Sequence, residues 1–121
     1  MITKNIRQQA IDDTFFRRVI DTGTYTPAVI MSIPPGGDIG EEVQPDTGQV
    51  LYLVQGRGEV NLDGKASAYE AGDLVLVAAG TTHHFVNKGH EDLKVITTYS
   101  PPHHPVDTVH KTKMDADAAG Y

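Results

Sequence analysis

Cysteine is absent from the chain. That excludes a disulfide framework and any thiolate metal site, and it agrees with a reducing compartment. No apolar run approaches the roughly 20 residues of a membrane-spanning helix. The opening MITKNIRQQAIDD also lacks the apolar core of a signal peptide. Together these lead to the expectation of a cytoplasmic protein. Basic clusters are missing too: 10 Lys and Arg stand against 16 Asp and Glu, a formal net charge of -6. Such a surface repels phosphate backbones and anionic bilayers, so neither nucleic acid nor membrane is expected as a partner. No serine-nucleophile motif, phosphate loop or dinucleotide fingerprint occurs, and Gly56-Arg57-Gly58 reads as a hairpin turn rather than a phosphate cradle. With 121 residues there is room for one domain, large enough to bury a core without staples.

What is present is β pattern. Glycines and prolines recur at short intervals, with β-branched runs between them. The expected strands are Phe15–Ile20, Ala28–Ile33, Gln49–Val54, Glu59–Leu62, Ala66–Glu70, Leu74–Val77, Phe85–Asn87 and Leu93–Tyr99. Asp63-Gly64 suits the two positive-φ positions of a type I′ hairpin. Ile6–Asp13 is read as a turn of helix or an edge strand. After Ser100 the run Pro-Pro-His-His-Pro cannot continue a sheet, so an extended strap is expected, followed by loose final residues. Val60, Leu62, Leu74 and Leu76 are expected in the core. Many short strands mean a sandwich or a closed barrel, and pattern alone does not choose between them.

Two stretches make the choice. The first is Gly40-Glu41-Glu42-Val43-Gln44, then Gln49, then Gly56. The second is Gly72-Asp73, then Ala79-Gly80-Thr81-Thr82-His83, then Asn87. Glu42 and Gln44 are two apart on a strand, so both side chains leave one face. Gln49 opens the next strand and can face back across a short loop, with Leu51 and Leu53 on its side and Val50, Tyr52 and Val54 on the other. His83 arrives from a distant strand after the Gly80 turn. Polar side chains converging inside an apolar barrel require a metal or a polar ligand, because each would otherwise carry a desolvation penalty.

These stretches resemble the two conserved-barrel motifs of the cupin superfamily, over roughly residues 28 to 113. The first motif of that family has two histidines, an acid and a glycine, and those places fall here on Glu42, Gln44, Gln49 and Gly56. The second falls on Gly72, Ala78 (where the family has proline), Gly80, His83 and Asn87. The run from Tyr99 through Thr112 is similar to the C-terminal strap of small single-domain cupins labelled as similar to mannose-6-phosphate isomerase. In that subgroup Glu42 and Gln49 fit, and Gln44 stands where histidine is common. The resemblance implies an all-β jelly-roll barrel (the double-stranded β-helix) as one domain over 1–121, with its core at about 28–100 and a strap and tail over 101–121.

For the site, the resemblance implies a metal set of Glu42, Gln44, Gln49 and His83, with Glu42 and His83 as acid and base. The metal would be Mn, Fe, Ni or Zn, or none. Two functions follow. One is a metal-dependent enzyme of isomerase, lyase or oxygenase type acting on a small polar or sugar-like molecule. The other is a non-catalytic, metal-free cupin that binds a small ligand. His84 should lie outside the pocket and His90 in solvent. His103, His104 and His110 belong to the strap, one of them reaching the barrel mouth. Tyr99 is either a donor inside the barrel or a core tyrosine tied to a backbone group. A homodimer is expected, with Phe15–Ile20 as its pairing edge, since Phe15 and Phe16 cannot both face one interior.

Overall fold

The computed structural model describes residues 1–101 and 108–119. It begins with a short helix, α1 (Ile6–Asp12), and the strands follow in order. They are β1 (Arg17–Thr22), β2 (Pro27–Ile33), β3 (Asp38–Glu42), β4 (Gly48–Gln55), β5 (Arg57–Leu62), β6 (Lys65–Glu70), β7 (Leu74–Val77), β8 (His83–Asn87), β9 (Leu93–Ser100) and the two-residue β10 (Val109–His110). A second helix, α2 (Lys113–Ala119), ends the described chain. The strands form two antiparallel sheets, ordered β10-β1-β2-β9-β4-β7 and β3-β8-β5-β6. This is the jelly-roll arrangement. Among the described residues no helix is long and apolar enough to cross a membrane.

Alternation decides what lies between the sheets. Val29, Met31 and Ile33 of β2 point inward with Leu51 and Leu53 of β4 and with Val95 of β9, and across from them lie Val60, Tyr69 and Phe85. The outward residues Ile30 and Val54 are covered by α1, whose Ala10 is 1% exposed and whose Ile6 and Ile11 flank it. The amphipathic stretch thus takes its helical form because it roofs a sheet face. Val60 is buried and Leu62 packs against the core from a partly buried position, as the alternation requires.

Leu74 and Leu76 are not buried: they are 60% and 67% exposed. In the β4–β7 register Tyr52 pairs with Leu74 and Val50 with Leu76, which is the outward set, while Val75 and Val77 turn inward. The run Leu-Val-Leu-Val is apolar on both faces, so hydrophobicity could not choose between them, and register settles it.

The tail differs from expectation. Its last part is a helix rather than loose chain: Ala116 of α2 joins the main core, and the Thr112 hydroxyl accepts from Asp115 N–H at the helix start. Before it, β10 pairs with β1, His110 opposite Arg17 and Val109 opposite Arg18, and Val19 N–H donates to Thr108 O. The edge expected to pair with a second copy is therefore covered over residues 17–19 by the chain's own tail. Phe16 is in the core, and Phe15 lies under the Arg18 guanidinium at 4.5 Å and the Lys111 ammonium at 5.6 Å. The expectations for His103 and His104 lie outside the described residues.

His110 is 4% exposed and its Nδ1 lies 3.0 Å from Arg17 Nη1. A guanidinium only donates, so Nδ1 holds a lone pair and the ring is neutral. Burial, then the Arg17 charge, hold the His110 pKa below its ordinary value, with Asp115 opposing. The folded ring resists a proton that the unfolded ring accepts near its ordinary pKa of about 6.5. This contribution to stability is therefore fully present above that value and is lost progressively as pH falls below it toward the lower folded-state pKa. His110→Asn keeps an acceptor for Arg17 and removes the titration. Thermal melts between pH 7 and pH 5 should show a shallower decline for this variant than for the parent.

The Asp63-Gly64 turn is of the expected kind, with φ of 48° and 85° and Leu62 pairing with Lys65 across it. A Cβ on Gly64 would meet nothing within 4 Å, whereas one on Gly58 would stand 2.2 Å from Val86 O. Gly64→Ala should thus cost about 1 kcal/mol of backbone strain alone. Gly58→Ala should cost about 3 kcal/mol or more, because β5 and β8 must separate. Equal losses in denaturant unfolding would contradict this reading.

Candidate functional site

The site is organised by β8. This strand lies between β3 and β5, with His83 opposite Glu42 on one side and Leu62 on the other. The loop that leads into it is held from both ends. Asp63 N–H donates to Thr82 O at 2.8 Å, and Thr82 N–H donates back to Asp63 Oδ1 at 2.9 Å. Gly80 N–H donates to Gln44 O at 2.8 Å. The two motif stretches are therefore joined directly, and the hairpin tip fixes where His83 enters.

His83 is 2% exposed. Its Nδ1 lies 3.0 Å from Thr81 O. A carbonyl only accepts, so Nδ1 carries the hydrogen and Nε2 keeps its lone pair, the tautomer suited to a cation or a proton donor. The ring meets the Phe85 edge at a centroid distance of 6.2 Å, which fixes its tilt. Glu42 is half-buried. Gln44 is 8% exposed, and its Nε2 donates to Glu42 Oε2 at 3.2 Å. A carboxylate cannot donate, so the amide orientation is fixed and Oε1 is turned away from Glu42. That oxygen is buried with no hydrogen-bond partner, a loss of about 1–3 kcal/mol unless something fills it.

Gln49 points inward with Leu51 and Leu53 and is 4% exposed. Its hydrogen bonds go to β9 rather than to Glu42 or Gln44. Nε2 donates to Thr97 Oγ1 at 3.0 Å, and a side-chain bond reaches the Tyr99 hydroxyl. Asn87, the last residue of the second motif, donates to Ile33 O and Glu91 O and accepts from Gly89 N–H. Its role is to tie the turn after β8. His84 faces the other way and bonds Asp38 at 2.7 Å, and His90 is exposed.

Sequence reasoning missed Arg17. It is 5% exposed, lies beside Phe16 with its guanidinium 5.2 Å from the ring centre, and bonds both His110 and Tyr99. A charged residue next to a second arginine in a strand gives no signal that it points inward. Tyr99 is 3% exposed. Burial pushes its pKa up to about 12; Arg17 opposes this and the Glu42 charge adds to it. The hydroxyl is therefore protonated at neutral pH, and its oxygen accepts from the Arg17 guanidinium. His110, of the strap histidines, is the one within the described residues that comes inward.

The interior thus has two ends. One presents acceptors: the Glu42 carboxylate, Gln44 Oε1 and His83 Nε2. At the other the Arg17 guanidinium is bonded to the Tyr99 hydroxyl and to His110. Among the described residues no three His, Cys, Asp or Glu side chains form a group able to hold a metal ion. The acceptor end has two such residues, and the amide oxygen of Gln44 supplies the third donor. One imidazole, one carboxylate and one amide oxygen fit a divalent cation, with weaker affinity for late transition metals than a set of several imidazoles.

An uncharacterised protein of Bacillus subtilis is 38% identical over 122 residues, covering 95% of this chain, and the chain spans 65% of that relative's length. A crystal structure of a Bacillus halodurans protein superposes with a TM-score of 0.95 at 35% identity, covering 97% of this chain and 93% of that one. A predicted oxalate decarboxylase of Thermotoga maritima gives a TM-score of 0.60 at 25% identity, covering 63% of this chain and 66% of that one. The cupin domain family matches residues 29–99, the stretch that runs from β2 to Tyr99 and holds Glu42, Gln44, Gln49 and His83, and the chain belongs to that family.

Proposed function

We propose that the barrel interior binds a small polar molecule beside a divalent cation held by Glu42, Gln44 and His83, and that the protein is a metal-dependent enzyme of isomerase, lyase or oxygenase type. The observation that carries this reading is Gln44 Oε1, a buried acceptor without a partner, next to a carboxylate and to an imidazole whose lone pair is on Nε2. Three acceptors with no hydrogen of their own attract a cation or a strong donor. The oxygen weight of the set favours manganese over softer ions. A bound metal would supply Lewis-acid activation of an oxygen on the substrate. His83 and Glu42 are the residues placed to move a proton.

The Thermotoga neighbour's description as a predicted oxalate decarboxylase supports chemistry on small oxygen-rich molecules in this fold. The likeness to mannose-6-phosphate isomerase, with a sugar-like substrate, is a finer form of the same proposal. A fold alone decides neither. A non-catalytic ligand-binding cupin is the second reading. It is favoured by the acceptor end having only two His or acidic residues among those described.

Elemental analysis of protein purified without added metal separates the two readings. Bound divalent metal supports the enzyme, and metal-free protein supports the binder. Position 44 gives a sharper test. Gln44→His places a second imidazole beside Glu42, and calorimetric titration with Mn(II) and Ni(II) should show at least tenfold tighter binding, about 1.4 kcal/mol. The melting temperature of the variant should also rise more on adding metal than the parent's does. His83→Ala should abolish the metal response in both backgrounds. If the histidine variant gains nothing and the alanine variant keeps a metal response, the cation is held elsewhere.

A further inference from the structure

The outward face of the six-stranded sheet is roofed only in part. α1 covers Ile30 and Val54. Beyond it, the strand registers place Val50 beside Leu76 and Thr98, and Tyr52 beside Leu74 and Ile96. None of these six outward residues is charged. Leu74 and Leu76 project into solvent, and Tyr52 is exposed beside them. Large apolar side chains gain most from leaving water, and monomers seldom gather them outward in one place. β7 is also the edge strand of its sheet. Leu74-Val75-Leu76-Val77 lacks the charges that keep an edge from meeting another chain. The edge strands of the other sheet have them: Asp38, Glu41 and Glu42 in β3, Lys65 and Glu70 in β6.

Across Val50 and Tyr52 from β7, the same face sinks into a groove of about 420 Å³. Pro27, Ala28, Val50, Tyr52 and Ile96 line it, and Met1 stands at its wall. The carboxylate on that wall, Asp21, accepts from the Thr3 hydroxyl. The Thr98 hydroxyl donates to Pro27 O at 2.6 Å. These polar groups are bonded within the chain, so the groove offers apolar surface.

We propose that this face is the contact between two copies of the chain, related by a twofold axis, with Leu74 and Leu76 of each copy seated in the groove of the other. Two observations name a second copy as the occupant. The face carries a projection and a depression side by side, which is the self-complementary layout of an isologous contact. The chain also bears a formal net charge of -6, so two copies repel over most of their surface and approach closely where carboxylates are absent. The β1 edge is already taken by β10. The contact lies outside the barrel and is independent of the reading of its interior.

Sedimentation of the full chain at micromolar concentration should give a particle of twice the 13.1 kDa chain mass. Leu74→Glu and Leu76→Glu each set a carboxylate into the apolar contact and should weaken the dimer by about a hundredfold or more. Both positions face solvent within one chain, so both variants should keep the parent's far-ultraviolet spectrum. Met114→Glu, on exposed α2, should leave the dimer intact. The absence of cysteine gives a second reading that does not need the glutamate variants to fold. Leu76→Cys supplies a single thiol, and its rate of reaction with a maleimide should fall by about tenfold between dilute, dissociated protein and concentrated dimer. A thiol at Met114→Cys should react equally fast in both. A monomer at every concentration overturns the proposal and leaves the face to a different partner. A dimer that survives both glutamates, or a Leu76→Cys thiol that reacts equally fast in monomer and dimer, also overturns it and places the contact elsewhere on the chain.

Discussion

A guanidinium inside an apolar barrel is the constraint that most of this structure answers to. Removing a charge from water costs several kcal/mol unless it is bonded on several sides. Among the groups that meet that cost for Arg17 are the Phe16 ring next to it, Tyr99 of β9 and His110 of β10. Docking of the C-terminal segment is thus part of the same arrangement. β10 covers the β1 edge, its histidine reaches Arg17, and α2 follows with Ala116 in the core. A tail that looks dispensable in composition helps to make the interior charge tolerable.

The parts of the fold legible in the sequence are those written in local chemistry. Asp63-Gly64 states its turn because both positions need positive φ, and the turn in turn holds the loop before His83. The alternation of Gln49, Leu51 and Leu53 against Val50, Tyr52 and Val54 is a period-two pattern with a polar and an apolar reading of each face. Leu74–Val77 has no such contrast, and there the choice of Leu74 and Leu76 for the core failed by one residue. Arg17 and His110 carry no local signal at all. Each is inward only because of a register between strands more than 90 residues apart in sequence. The final helix was missed for a related reason: its stability comes from Ala116 packing on the core rather than from helix propensity.

The motif residues divide by the bonds they make. Glu42, Gln44 and His83 come together because β3 and β8 pair and because Gly80 binds the Gln44 backbone. Gln49 and Asn87 occupy motif places of equal standing, yet their amides are taken up by Thr97, Tyr99 and backbone carbonyls. Spacing in the sequence located all five inside or beside the barrel. It could not tell a side chain that offers an atom to a ligand from one that braces a strand pair. Only the count of donors and acceptors does that, and it leaves Gln44 Oε1 as the atom without a partner.

Glu42, which holds the Gln44 amide, and Arg17 act electrostatically on one residue, Tyr99. Tyr99 responds to both sides, raised in pKa by burial and by the charge of Glu42 and lowered by Arg17. Its proton is held chiefly because burial disfavours the phenolate; the Glu42 charge adds to this and Arg17 opposes it. A cation at Glu42 would weaken the acidic contribution and leave burial as the cause that keeps the phenol protonated.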